Sequence, residues 1–91
     1  MDITKIIGII KNSSLEAGVR EESVEVIRER SDDIKDRLRG LLFKPPSVHR
    51  EFYQEIVLDI MNWVTPVFDK YGVSNSKRRR VYQNIYGLLD A

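Results

Sequence analysis

The chain has 91 residues, 42% hydrophobic and 32% charged, a composition too apolar for a disordered segment and too evenly charged for a bilayer-spanning one. Fifteen Lys and Arg against fourteen Asp and Glu leave a net charge of +1, so no global field draws the chain to nucleic acid or to an anionic membrane, and any such contact has to come from local clustering. The absence of cysteine excludes disulfides, thiolate metal sites and cysteine nucleophiles, and it fits the cytoplasm or another reducing intracellular compartment.

No basic leader or small-residue cleavage site marks the N-terminal MDITKIIGIIKNSS as a signal peptide, and no apolar run reaches the length of a membrane span. Asp2 is placed to cap a first helix with Ile3, Ile6, Ile7 and Ile10 on one face. That face is either core or a docking surface, with Ile3, Ile7 and Ile10 as candidate contacts. Asn12 to Ser14 should end the helix. Ser13 and Glu16 have capping-box spacing, and Gly18 reads as a stop.

Between Arg20 and Phe43 the residues Val24, Ile27, Ser31, Ile34, Leu38 and Leu41 alternate three- and four-residue steps, a heptad seam interrupted by Ser31. The acidic SDDI at 31–34 is also a plausible helix start, so the segment either runs through or breaks there. Arg28, Arg30, Lys35 and Arg37 flank the seam. In a parallel homodimer Arg30 would oppose Lys35, whereas an intramolecular antiparallel hairpin would bring Arg37 toward Glu55, which recurs with Glu51 and Asp59 every four residues. The hairpin is the preferred arrangement.

Pro45 and Pro46 end this segment, and Ser47 should cap a helix over 48–64 carrying Phe52, Tyr53, Ile56, Val57, Ile60, Met61 and Val64. Thr65-Pro66 predicts a kink or a fresh short helix through Lys70, closed by Gly72. Ser74 or Ser76 caps the last helix, with Val81, Ile85, Leu88 and Leu89 inward. The predicted fold is an all-α bundle of four or five helices in a single domain, 1–91. Its predicted core is Ile27, Ile34, Leu38, Leu41, Phe52, Ile56, Ile60, Val81, Ile85 and Leu88.

Signatures of catalysis are lacking. His49 is the only histidine and sits in a first helical turn, the five glycines are scattered rather than gathered into a phosphate loop, and the Glu51/Glu55 and Asp32/Asp33/Asp36 spacings are those of any charged helix face. No cofactor, metal or small-molecule substrate is expected. Trp63 lies off the main apolar stripe, either plugging a gap between helices or marking a docking surface.

Lys77, Arg78, Arg79 and Arg80 stand together at the start of the last helix, where the backbone dipole disfavours positive charge by about 0.3 to 1 kcal/mol each. With Lys70 and Ser76 they form a candidate surface for nucleic acid or an acidic partner. The stretch VFDKYGVSNSKRRRVYQNI resembles a helix-turn-helix segment, with Val67, Tyr71, Gly72, Val73 and Val81 where such a segment needs its apolar contacts and turn. Phe68, where a small residue is usual, and Arg78, where an aliphatic one is usual, depart from the pattern. Two functional readings follow. The first is a non-enzymatic module that binds a protein partner or a second copy of itself through apolar helix faces; the alternative is a nucleic-acid-binding protein using the basic start of its last helix.

Overall fold

The computed structural model describes residues 2–90. Every regular element among them is helical: α1 (Ile3–Lys11), α2 (Ala17–Glu29), α3 (Ser31–Leu41), α4 (Pro46–Lys70) and α5 (Asn75–Tyr86), followed by a 3₁₀ turn (Gly87–Asp90). The chain is an all-α bundle. Asp2 caps α1 by accepting the Lys5 N–H, and the α1 face packs inward, with Ile3, Ile6 and Ile10 buried.

Gly18 does not stop a helix. It lies in the first turn of α2, where a Cβ would come within 2.9 Å of the Tyr71 hydroxyl oxygen, so its lack of a side chain admits the end of α4 rather than a turn. The heptad segment divides at a single residue. Arg30 leaves helical geometry at φ −109° and ψ 16°, ending α2 and starting α3, and the Ser31 side chain makes no capping bond.

The seam is continuous across that joint: Val24, Ile27, Ile34, Leu38 and Leu41 are all buried. Contacts between α2–α3 and α4 run in opposite chain order. Glu22 meets Lys70 at 2.8 Å, Arg30 stacks 4.5 Å from the centre of the Trp63 ring, and Arg37 meets Asp59 at 2.7 Å. Asp59, one turn beyond Glu55, is therefore the carboxylate that receives Arg37. These ion pairs are partly exposed and screened by solvent, whereas each fully buried aliphatic side chain contributes about 1.5 to 3 kcal/mol, so the apolar seam holds the layers together.

Helix α4 is the central element, packing on α2, α3 and α5. It starts two residues earlier than the serine suggested, because Pro45, at φ −59° and ψ 143°, serves as N-cap and Pro46 takes the first helical position, where a missing N–H costs nothing. The helix also runs unbroken through Pro66 for 25 residues. Thr65 does not cap a new helix; its hydroxyl donates to the Met61 carbonyl at 2.8 Å. Val64 and Phe68, both buried, anchor the helix on either side of the proline, and that packing outweighs the lost hydrogen bond.

Of the predicted core, Phe52 and Leu88 are only half-buried and lie against its edge, while the other eight residues are buried. Tyr53 lies fully inside, where its hydroxyl donates to the Ile85 carbonyl in the last turn of α5. Carbonyls in a final turn lack an intrahelical partner, so this bond satisfies one of them, and burial pushes the Tyr53 phenol well above its usual range.

Candidate functional site

The turn between α4 and α5 sets the position of the basic cluster. Gly72, at φ 62°, reverses the chain; its N–H donates to the Asp69 carbonyl at 3.2 Å and the Val73 N–H reaches back to Phe68 at 2.9 Å, the double closure of a Schellman motif. Ser74 then caps α5 by accepting the Lys77 N–H at 3.3 Å. Lys77 is thus the third helical residue, and Arg79 and Arg80 fall in the second turn, beyond the reach of most of the dipole penalty.

The four cations do not share one environment. Arg78 turns inward, donating through Nε to the Val73 carbonyl at 2.9 Å and through Nη1 to Asp69 at 2.8 Å, with its guanidinium 5.7 Å from the Phe68 ring centre. It is a brace for the turn, and it occupies the place where an aliphatic contact was the usual pattern. Lys70 is also committed, to Glu22: the Lys70 ammonium, with Tyr71 nearby, holds the Glu22 carboxyl below its usual range, and Glu22 in turn raises Lys70. Lys77, Arg79 and Arg80 are exposed and make no ion pair among the described residues.

Three of the six sequence-predicted site residues, Lys77, Arg79 and Arg80, are therefore exposed together with Ser76, while Lys70 and Arg78 are held by carboxylates. Helix α5 carries four of the fifteen cations and none of the fourteen anions; the rest of the chain, with eleven cations against fourteen anions, is net negative. Ser76, Arg79, Arg80 and Gln83 follow i, i+3, i+4, i+7 spacing and are all exposed. Beside them Lys77, Arg80 and Asn84 line a cleft of about 160 Å³ whose opposite wall is Asn12, Ser13 and Ser14, from the loop after α1. The sequence offered no signal that this loop would meet α5. What it did offer was the run SNSKRRRVYQN, polar and free of acid over eleven residues.

The apolar docking candidates fare differently. Ile3 and Ile10 are buried and Ile7 is half-buried against the core, because the α1 face closes over α2 and α5. Trp63 is half-buried under Arg30, plugging the α2–α3 joint. The large apolar side chains left most exposed are Leu42, at 78%, and Phe43, at 88%, in the turn after α3, which the sequence reading had placed at the end of a helix.

His49 turns its Nε2 toward the Lys44 carbonyl at 2.8 Å and tethers the same turn. Among the described residues no group of three or more His, Asp or Glu is gathered to hold a metal ion, and no helix is long and apolar enough to cross a membrane. Comparison with protein-family models, curated proteins and solved structures finds no match to this chain.

Proposed function

We propose that this chain is a non-enzymatic binding module that lays α5 along duplex DNA. The observation that carries the reading is the segregation of charge: an acid-free helix with three cations unpaired among the described residues, on an otherwise net-negative body. The body outside α5 carries a net negative charge, so the local excess of cations on α5 favours its approach to a polyanion. Lys77 and Arg80, with Asn84 and the Asn12–Ser14 loop across the cleft, form a donor set for phosphate oxygens. Ser76, Arg79, Arg80 and Gln83 are residue types that hydrogen-bond base edges in a major groove.

Two features favour a B-form duplex over other nucleic acids. Single strands are held chiefly by stacking on exposed aromatics, and the α5 aromatics Tyr82 and Tyr86 are half-buried, stacked on each other with ring centres 6.0 Å apart. A-form RNA has a major groove too narrow to admit a helix, whereas that of B-DNA is about 12 Å wide.

Fluorescence anisotropy of a labelled mixed-sequence DNA duplex, titrated with protein at several salt concentrations, tests the proposal. With Lys77 and Arg80 on phosphates, log K should fall against log salt with a slope of about −2, and an RNA duplex should bind more weakly. Absence of binding at low salt, or a slope near zero, would refute it. The reading through apolar helix faces loses the α1 residues that motivated it, since two are core and the third lies against it.

A further inference from the structure

A second surface lies around Leu42 and Phe43, where α3 turns into α4. A fully exposed phenylalanine beside an exposed leucine contributes nothing to the core of this chain, and adjacent large apolar side chains left in water mark a contact surface. The surrounding relief is concave. Leu38 and Leu42 form a ridge between two hollows: one of about 360 Å³, bounded also by Ile3 and Thr4, and one of about 210 Å³, floored by Leu41, Leu88 and Leu89.

The rim of these hollows is basic. Lys5, Lys35 and Arg39 line them and Lys44 follows Phe43. The carboxylates there are partly committed: Asp2, which also lines the first hollow, caps α1, and Asp36 sits 3.7 Å from Arg39. Lys5 and Lys35 have no carboxylate partner among the described residues, and Lys44 lies over the Phe52 ring at 4.1 Å.

We infer that this edge docks an amphipathic helix with acidic flanks, supplied by a partner protein. Hollows on either side of the Leu38–Leu42 ridge accept neighbouring side chains from one face of a helix, and the basic rim meets the carboxylates that flank such a stripe. A second copy of the chain is the poorer occupant, because the same basic rim would face itself across the two-fold axis. A bilayer is poorer as well, since it presents no side chains to fill the hollows. An extended peptide finds no strand edge to join among the described residues.

The edge can be tested on the full chain with a displayed library of random peptides about 16 residues long. Selected sequences should carry apolar residues at i, i+4 and i+7 with net negative charge. A synthetic peptide of the selected sequence should lose at least tenfold in affinity to Leu42→Ser or Phe43→Ser and be unaffected by the Arg79→Ala/Arg80→Ala pair. Failure to enrich, a basic consensus, or a selected peptide that binds Phe43→Ser undiminished would overturn the inference. Two further results would do so by reassigning the edge: concentration-dependent dimers abolished by Phe43→Ser in sedimentation, and Phe43-dependent partition onto phosphatidylcholine–phosphatidylserine vesicles. Because Phe43 lies far from the residues assigned to DNA in sequence and on different elements, the DNA titration and this selection fail independently.

Discussion

The two turns at the ends of α4 are built for opposite purposes. The turn into α5, Tyr71 to Ser74, is closed by two reverse backbone bonds, a left-handed glycine, a serine cap and the Arg78 brace, all above a buried Phe68. The turn into α4, Leu42 to Pro45, has no side-chain cap, relies on prolines to start the next helix, and leaves Leu42 and Phe43 in solvent. One phenylalanine fastens the fold and the other takes no part in it. The difference separates residues held by the chain's own stability from residues free to serve a partner.

The widest test of that contrast is a matched pair of truncations. Phe68→Ala should cost about 3 to 5 kcal/mol in urea unfolding, because it opens a cavity under the turn, whereas Phe43→Ala should change stability by no more than about 0.5 kcal/mol. Equal losses would erase the distinction between the turns. Next in size, Gly72→Ala should destabilise by about 1 to 2 kcal/mol, since an alanine at φ 62° brings its Cβ too close to the following carbonyl. Ser74→Ala should cost about 1 kcal/mol through the lost Lys77 N–H acceptor.

A smaller effect follows from pH. Glu22 is held below its usual range by Lys70, so its contribution is present above the unfolded carboxyl pKa and disappears as pH falls through the folded value. Lys70, raised by Glu22, contributes below its unfolded pKa and loses that contribution as pH rises through the folded one. The melting temperatures of wild type and Glu22→Gln should therefore differ slightly at neutral pH and converge in acid. A difference that widened in acid would show that Lys70 is not the partner that matters.

Much of this architecture is written in hydrophobic spacing. The seam Val24 to Leu41, the Asp2 cap and the Gly72 closure were legible because each depends on a local rule: a repeat, a side-chain acceptor, a positive φ. The errors arise where tertiary packing overrides a local signal. Pro66 would break an isolated helix, but Val64 and Phe68 are clamped in the core on both sides of it. Phe52 shares the apolar stripe of α4 with Tyr53, yet only Tyr53 is fully enclosed, where it meets the end of α5.

The candidate site was half legible. Composition alone singled out the basic run, but not that Arg78 would be spent on Val73 and Asp69, since that depends on the direction in which α5 leaves the turn. Nor could spacing reveal the Asn12–Ser14 wall of the cleft, which lies more than sixty residues from Lys77 in the chain. The exposure of Leu42 and Phe43 was hidden for a related reason: they follow directly on the heptad and read as its continuation until the turn carries them outward.

The central claim is that KRRR is divided between structure and recognition, and two variants test it side by side. DNA-duplex affinity and melting temperature are measured for Arg79→Ala/Arg80→Ala and for Arg78→Ala. The double variant should lose at least tenfold in affinity with an unchanged melting temperature, while Arg78→Ala should melt lower and, where folded, bind as the wild type does apart from the loss of one positive charge. If the double variant melts lower and binds undiminished, or if Arg78→Ala alone abolishes binding with no effect on melting, the division is wrong.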